Sequence, residues 1–207
     1  MTGLSVDLGV EGSGDPFVPR NFPDTFATAG WCGHSFDQGV LRFHDAETAA
    51  HYREYIEDAF PDIAQADPEF DLLAYDWAGR QYVTVRPKAH LGRIRVADVH
   101  LASLATGEWS PFLGAAEFTQ AVSHERAREF FEANEFDAWR VSVGAPGLGL
   151  AFDECVDYAV PFYLGGEKTI ENMRLTDLDV SWSIGSQIRA QTRHLKPGDP
   201  VPRFRIE

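Results

Sequence analysis

Hydrophobic residues follow a helical period in the first third of the chain. A short apolar run at residues 39–43 predicts a strand, and Asp45 after it is a good helix N-cap. Apolar residues then recur at helical spacing until Pro61, which ends a helix. They are Ala49, Tyr52, Ile56 and Ala59. The pattern therefore predicts a strand followed by an amphipathic helix over about residues 45–60.

Strand-like segments follow this helix. Residues 70–75 and 81–85 are rich in residues that favour strands, and the segment between them ends in Gly-Arg and predicts a hairpin connection. Residues 93–97 and 99–104 predict a third and a fourth strand, and a turn follows at residues 105–108. Sequential strands with short connections indicate an antiparallel meander.

Helical spacing returns in the second half of the chain. Residues 116–122 predict a short helix, and Ser123 can cap a second one that reaches Phe131. Residues 158–164 predict an extended segment that ends at a double glycine. A last helix is predicted from a capping box at Thr176 and Asp179 to about Gln191. Its apolar face holds Leu178, Trp182, Gly185 and Ile188.

These elements predict one α+β domain, with a mainly antiparallel sheet and helices packed on one side. Residues 1–24 contain several Gly and Pro residues with little periodicity, which indicates an irregular N-terminal arm. The domain is expected over residues 25–193. Residues 194–207 contain three prolines and are expected to form an extended tail.

The charge of the chain is strongly uneven. The 207 residues carry a formal net charge of −14. Residues 1–79 hold fifteen Asp and Glu against three Lys and Arg, whereas residues 80–207 hold seventeen against fifteen. Such an acidic field repels nucleic acid and attracts a basic partner, and it also serves solubility. We therefore expect no nucleic-acid partner.

The composition also indicates the cellular compartment in which the protein works. A hydrophobic content of 44 % supports a substantial core. No apolar run has the length of a membrane span, and residues 1–14 do not have the pattern of a signal peptide. The two cysteines, Cys32 and Cys155, are far apart, which favours reduced thiols. We expect a cytoplasmic protein without a membrane partner.

Catalytic motifs are incomplete in this sequence. Gly33-His34-Ser35-Phe36 lacks the second glycine of a hydrolase nucleophile turn. Cys32 and His34 could begin a metal site, with His44 and His51 downstream, but their spacing is not that of paired zinc ligands. We therefore expect no enzymatic activity, no cofactor and no metal. A metal-assisted hydrolase built on Cys32 and His34 is the alternative in the enzyme class.

Two ordered sets of residues carry a resemblance to a known family. The sharper set begins with Val160-Pro161-Phe162-Tyr163-Leu164-Gly165-Gly166 and continues through Asn172, Leu175, residues 176–180 and Trp182. The softer set covers residues 39–55 and 70–83, including Tyr75-Asp76-Trp77-Ala78-Gly79-Arg80-Gln81. The order resembles bacterial immunity proteins, which are cytoplasmic antidotes to DNase effectors delivered by type VI secretion. That family is similar to the wider Smi/Knr-type immunity superfamily.

The resemblance implies an inhibitor that binds a cognate toxin and occludes its active site or substrate cleft. The toxin is expected to be a nuclease with a basic cleft, so that acidic and aromatic side chains are the expected contacts. These candidates are Asp58, Asp62, Asp67, Glu69, Asp76 and Trp77. Structural roles are expected for Gly165 and Gly166 in a turn, for Asp177 in the last motif and for Trp182 in the core. A protein-binding module outside toxin defence is the other alternative.

Overall fold

The computed structural model describes residues 3–12, 14–20, 22, 26, 29–86, 97–195 and 199–206. Seven antiparallel strands form one sheet in chain order. The strands are β1 (Val6–Glu11), β2 (His34–Phe36), β3 (Leu41–Phe43), β4 (Asp71–Asp76), β5 (Gln81–Val85), β6 (Asp98–Ser103) and β7 (Glu108–Gly114). A second sheet pairs β8 (Glu154–Tyr158) with β9 (Met173–Asp177). The predicted α+β class and antiparallel meander are confirmed.

Six α-helices are described. They are α1 (Ala46–Ala59), α2 (Pro61–Ala66), α3 (Ala115–Ser123), α4 (Ala127–Phe130), α5 (Ala133–Ser142) and α6 (Leu178–Thr192). Two 3₁₀ turns, Phe162–Leu164 and Ile170–Asn172, lie between β8 and β9. Asp45 caps α1 by accepting a hydrogen bond from the Thr48 backbone N–H at 2.8 Å. Pro61 ends α1 as predicted, and it also occupies the first position of α2, where a missing N–H costs little.

Helices cover both faces of the seven-stranded sheet. Neighbouring residues on β5 point to opposite faces: Tyr82 packs on Phe118 of α3 in one core cluster, whereas Val83 belongs to the other cluster, which contains residues of α1 and α6. The prediction of helices on one side is therefore corrected. The physical reason is visible in β4, where residues 72–76 are all buried because both faces of the strand are covered.

Part of the expected irregular arm is a strand. Residues 6–11 form β1 at the edge of the sheet, paired with β2. Asp7 fixes this strand by accepting hydrogen bonds from the Ser35 hydroxyl at 2.7 Å and from the Gln38 backbone N–H at 2.8 Å. Asp45 accepts a further bond from the Gly14 backbone N–H at 2.8 Å. Side chains far along the sequence thus hold the arm, and it belongs to the domain.

The segment from β5 to β7 holds the last two predicted strands. Residues 93–96 of the expected third strand lie outside the described residues, so the strand after β5 in the described chain is β6. Pro111 lies within β7, which is possible because β7 is an edge strand. Residues 199–206 of the expected tail contain no helix or strand.

None of the helices in the described part of the chain combines the length and apolar composition that crossing a membrane requires.

Candidate partner-binding surface

The outer face of α1 carries an unpaired row of carboxylates. Tyr52, Ile56 and Ala59 are buried on the inner face of the helix. Glu47, Glu54 and Asp58 are exposed on the other face, and Asp62 continues the row at the start of α2. We name these four residues the acidic stripe. Within the described residues none of them forms an ion pair, so their charges are free to act on a partner.

The acidic stripe lies on a firmly held helix. α1 packs along α6, which begins more than a hundred residues later in the chain. Asp179 of α6 accepts hydrogen bonds from His51 Nε2 at 2.5 Å and from the Tyr55 hydroxyl at 3.0 Å. Phe60, at the end of α1, packs edge to face on Trp182 of α6. The stripe is therefore presented on a rigid element rather than on a loop.

Asp67 and Glu69 are engaged within the protein. Asp67 is buried, and its carboxylate accepts from the Arg86 guanidinium at 2.6 Å. Burial alone raises the pKa of Asp67, but the hydrogen bonds from Arg86 outweigh this effect and hold the pKa below its usual value. Glu69 is exposed and pairs with Arg86 at 2.7 Å and with Arg20 at 3.7 Å. The prediction that Asp67 contacts a partner is therefore wrong, because its side chain is buried.

Asp76 and Trp77 are buried and hold the β4–β5 hairpin together. The Asp76 carboxylate accepts from Arg80 Nε at 2.6 Å and from the Tyr82 hydroxyl at 3.1 Å. The Trp77 indole N–H donates to the Phe131 carbonyl at 3.0 Å, and its ring stacks on Phe136. Neither side chain reaches the surface. Their prediction as partner contacts is therefore wrong. In the sequence, an acidic residue next to an aromatic one has the character of an exposed contact, but here both residues close the hairpin.

The double glycine uses its two residues differently. Gly165 has φ +93°, a left-handed conformation that glycine adopts readily. Gly166 is needed instead for close approach, since a Cβ there would lie 1.8 Å from the Val160 carbonyl oxygen. Asn172 closes the same loop by accepting from the Val160 N–H at 2.9 Å and donating to the Val160 carbonyl at 2.8 Å. These contacts explain the order of residues in the sharper set.

The last helix begins one residue later than the expected capping box. β9 continues through Asp177, which is the N-cap and accepts from the Val180 backbone N–H at 3.0 Å. Thr176 is therefore not the cap. Trp182 is buried as its spacing predicts, and its indole N–H donates to the Gly79 carbonyl at 2.8 Å. The motif thus ties α6 to the β4–β5 hairpin.

A groove runs beside the acidic stripe. It consists of two adjoining depressions of about 640 and 350 Å³, which share Gly107, Glu108, Arg189 and Arg193. We name it the Arg189 groove. The first depression extends to Phe60, Asp62 and Trp109, and the second extends to Tyr163. The sequence analysis did not select Arg189 or Arg193, because arginines one turn apart on a predicted helix carry no distinctive signal.

The candidate residues for chemistry do not converge. The Cys32 thiol donates to the Phe17 carbonyl, and burial raises its pKa to about 11. A thiol with this pKa stays protonated near neutral pH and is a poor nucleophile or metal ligand. His34 Nδ1 lies 3.6 Å from the Glu11 carboxylate oxygen Oε1. In the parts of the chain that the structure describes, no three His, Cys, Asp or Glu side chains form a group that could hold a metal ion.

No family model and no curated protein matches this chain. A solved structure of Atu4351 from Agrobacterium tumefaciens is similar in fold, with 16 % sequence identity and a TM-score of 0.54. The match covers 95 % of this chain and 93 % of that chain. At this identity the match shows that the two chains share a fold over most of their lengths.

His44 is a titratable group in the apolar interior. It is fully buried between the rings of Tyr52 and Tyr75, and its Nε2 donates to the Gln81 side-chain oxygen at 2.7 Å. Burial lowers the pKa of His44 to about 4. The folded protein therefore holds the neutral imidazole at a pH where the unfolded chain already takes up a proton.

We expect the free energy of unfolding to fall as the pH drops. The folded pKa of about 4 lies below the unfolded value of 6.5, so the stability from His44 is complete above pH 6.5 and is lost towards pH 4. Between pH 7.5 and 5 the loss is about 2 kcal/mol. Urea unfolding at the two pH values measures it. His44→Phe should remove this part of the pH dependence whatever its effect at pH 7.5. An unchanged pH dependence in His44→Phe contradicts the assignment.

Proposed function

We propose that this protein is an immunity protein that binds a cognate nuclease toxin and occludes its substrate cleft. The acidic stripe carries the proposal. It places three carboxylates on α1, which is fixed to the domain core, and a fourth at the start of α2, all without an ion pair among the described residues, in a chain of net charge −14. The residue order around Gly165-Gly166 and Trp182 supplies the resemblance to immunity proteins, and the structure gives those residues positions in one hairpin-and-helix unit.

The geometry of the stripe suits a cleft built for phosphates. Glu47 and Asp58 are eleven residues apart on one face of α1, which is a distance of about 16 Å. This length corresponds to roughly five nucleotides along one DNA strand. A row of carboxylates over this distance can pair with the Lys and Arg side chains that hold a phosphate backbone. The inhibitor thus competes with the substrate without performing any chemistry.

Two further statements belong to the proposal. The protein acts by binding and not as an enzyme, because its role is to fill a cleft. It works in the cytoplasm, since a nuclease that threatens the genome must be stopped there. Binding of the toxin requires no cofactor.

Co-expression tests the proposed function. The candidate nuclease is sought among the products of the genes that neighbour the gene for this chain, and growth is measured with and without the chain. We expect survival only with the chain, together with loss of DNA cleavage by the purified nuclease when the chain is added. Cys32→Ala and His34→Ala should protect as well as the wild type does. Loss of protection in either variant, with folding and complex formation intact, would favour the enzyme alternative. Failure of the chain to bind or protect against that nuclease contradicts the proposal.

A further inference from the structure

The Arg189 groove contains two arginines that have no carboxylate partner among the described residues. Arg189 donates through Nε to the Gly107 carbonyl at 2.7 Å, and its guanidinium lies 5.6 Å from the Tyr163 ring centre. Its two terminal nitrogens make no hydrogen bond to a described residue. Arg193, one helical turn later, is exposed and forms no ion pair within the described part of the chain. Two cationic groups therefore face the groove with free donors.

Both arginines differ in this respect from the arginines that form ion-pair clusters elsewhere in the protein. The chain has 32 acidic residues and 18 basic ones, so carboxylates are abundant. Arg80, Arg86 and Arg128 each contact two carboxylates. Asp62 and Glu108 line the Arg189 groove, but neither lies within ion-pair distance of its arginines. The groove thus keeps its arginines apart from the acids around it.

Glycine at position 107 shapes the groove. Gly107 has φ +67°, and a Cβ there would lie 2.7 Å from the Tyr163 ring and 3.1 Å from Arg189 Nε. The absence of a side chain lets the β6–β7 turn approach α6 closely enough to hold Arg189 by its Nε. The hydrogen bond fixes the guanidinium plane while the terminal nitrogens remain available. Burial also lowers the pKa of Arg189, and the neighbouring Arg193 adds to this effect.

The walls of the groove are suited to an extended chain. The two depressions continue into each other along Arg189 and Arg193, from Phe60 and Trp109 on one side to Tyr163 on the other. The two arginines are about 6 Å apart along α6. In an extended peptide, side chains two residues apart point to the same side at about 7 Å. Alternate carboxylates on a peptide therefore match the rise between the two arginines along α6.

We propose that the Arg189 groove binds an extended acidic peptide segment of a partner protein, with alternate Asp or Glu side chains paired to Arg189 and Arg193. An apolar side chain two residues beyond one of the acids points to the same side and packs on Trp109. A guanidinium group can donate two parallel hydrogen bonds to one carboxylate, which fixes the orientation of the pair and strengthens its attraction. A nucleic-acid strand is disfavoured as occupant because two arginines can neutralise two acids, whereas the further phosphates of a strand would meet a protein of net charge −14. The inference goes beyond the proposed function, since it concerns a second surface and holds whether or not the partner is a nuclease.

Nuclear magnetic resonance on the full chain tests this inference. The probe is the peptide acetyl-Ala-Glu-Ala-Glu-Ala-Phe-amide, whose two acids and phenylalanine share one side when it is extended, and its matched control replaces both glutamates with glutamine. We expect saturable shifts of the Trp109 indole N–H and of the Arg189 and Arg193 Nε–H signals with the acidic peptide alone. Equal shifts with the glutamine peptide contradict the inference. Shifts with inorganic phosphate but not with the acidic peptide also contradict it, because they indicate a site for a free anion.

Matched variants separate the groove from the general charge of the protein. Arg193→Gln should weaken binding of the acidic peptide about tenfold, the effect of losing one charge-assisted contact. Arg174→Gln makes the same change of charge at an exposed position on β9 outside the groove. It should leave the affinity unchanged. Equal weakening by both variants contradicts a specific site. Unfolding curves confirm that each variant is folded before the peptide is added.

Discussion

Replacing Trp182 with alanine is expected to lower the free energy of unfolding by about 3–5 kcal/mol. The side chain is buried against Phe60, and its indole N–H donates to the Gly79 carbonyl. The substitution leaves a large cavity between α6 and the sheet, and it leaves a buried carbonyl without its donor. Urea unfolding followed by circular dichroism measures the change.

Two control variants separate the parts of this effect. Trp182→Phe keeps most of the apolar volume but loses the bond to Gly79, so it should be destabilised by about 1–3 kcal/mol. Val180→Ala lies on the same helix at a position that is 48 % exposed, and it should change stability by less than about 0.5 kcal/mol. A Trp182→Ala protein that unfolds like the wild type would show that α6 does not hold the core together.

Neutralising the acidic stripe is expected to slow capture of the partner about tenfold or more at low salt. The variant combines Glu47→Gln, Glu54→Gln, Asp58→Asn and Asp62→Asn. These four side chains are exposed and unpaired among the described residues, so the change removes long-range attraction without breaking an ion pair. Stopped-flow mixing with the cognate nuclease measures the association rate. The difference from the wild type should shrink as salt screens the charges.

The matched control removes the same number of charges elsewhere. It combines Asp98→Asn, Glu125→Gln, Glu167→Gln and Glu171→Gln, all at exposed positions. We expect this variant to retain most of the wild-type association rate. Equal slowing by both variants would assign the effect to net charge, and an association rate unaffected by the stripe variant would remove the stripe from the interface.

The parts of the fold with local causes were predictable from the sequence. The helix over residues 46–59 combines a capping residue, an apolar face and a terminal proline, all within one segment. The hairpin of β4 and β5 likewise has a turn and two strand-forming runs. Strand β1 was missed because its position depends on Asp7, which accepts hydrogen bonds from residues about thirty positions away. The second helix layer had a signal in the continuous apolar run of β4, which is typical of a strand covered on both faces.

The candidate surface was only partly predictable. Asp58 and Asp62 lie on the exposed stripe, as a wet helix face predicts. Asp67 has the same chemistry in the sequence, yet Arg86 draws it into a buried ion pair from nineteen residues away. Asp76 and Trp77 required knowledge of how the hairpin packs on α4 and α5. Acidic character can be read from the sequence, whereas the free or paired state of each carboxylate depends on contacts made after folding.

The two helix layers become complete at different times as the chain leaves the ribosome. Each strand of the large sheet pairs with its neighbour in sequence, so successive hairpins can form as they emerge. The layer that contains α1 receives Leu178 and Trp182 only from the C-terminal helix. A nascent chain that pauses before residue 178 therefore exposes Phe60 and the neighbouring sheet face. During this interval the protein is a substrate for chaperones and proteases, and synthesis of the last helix ends its vulnerability.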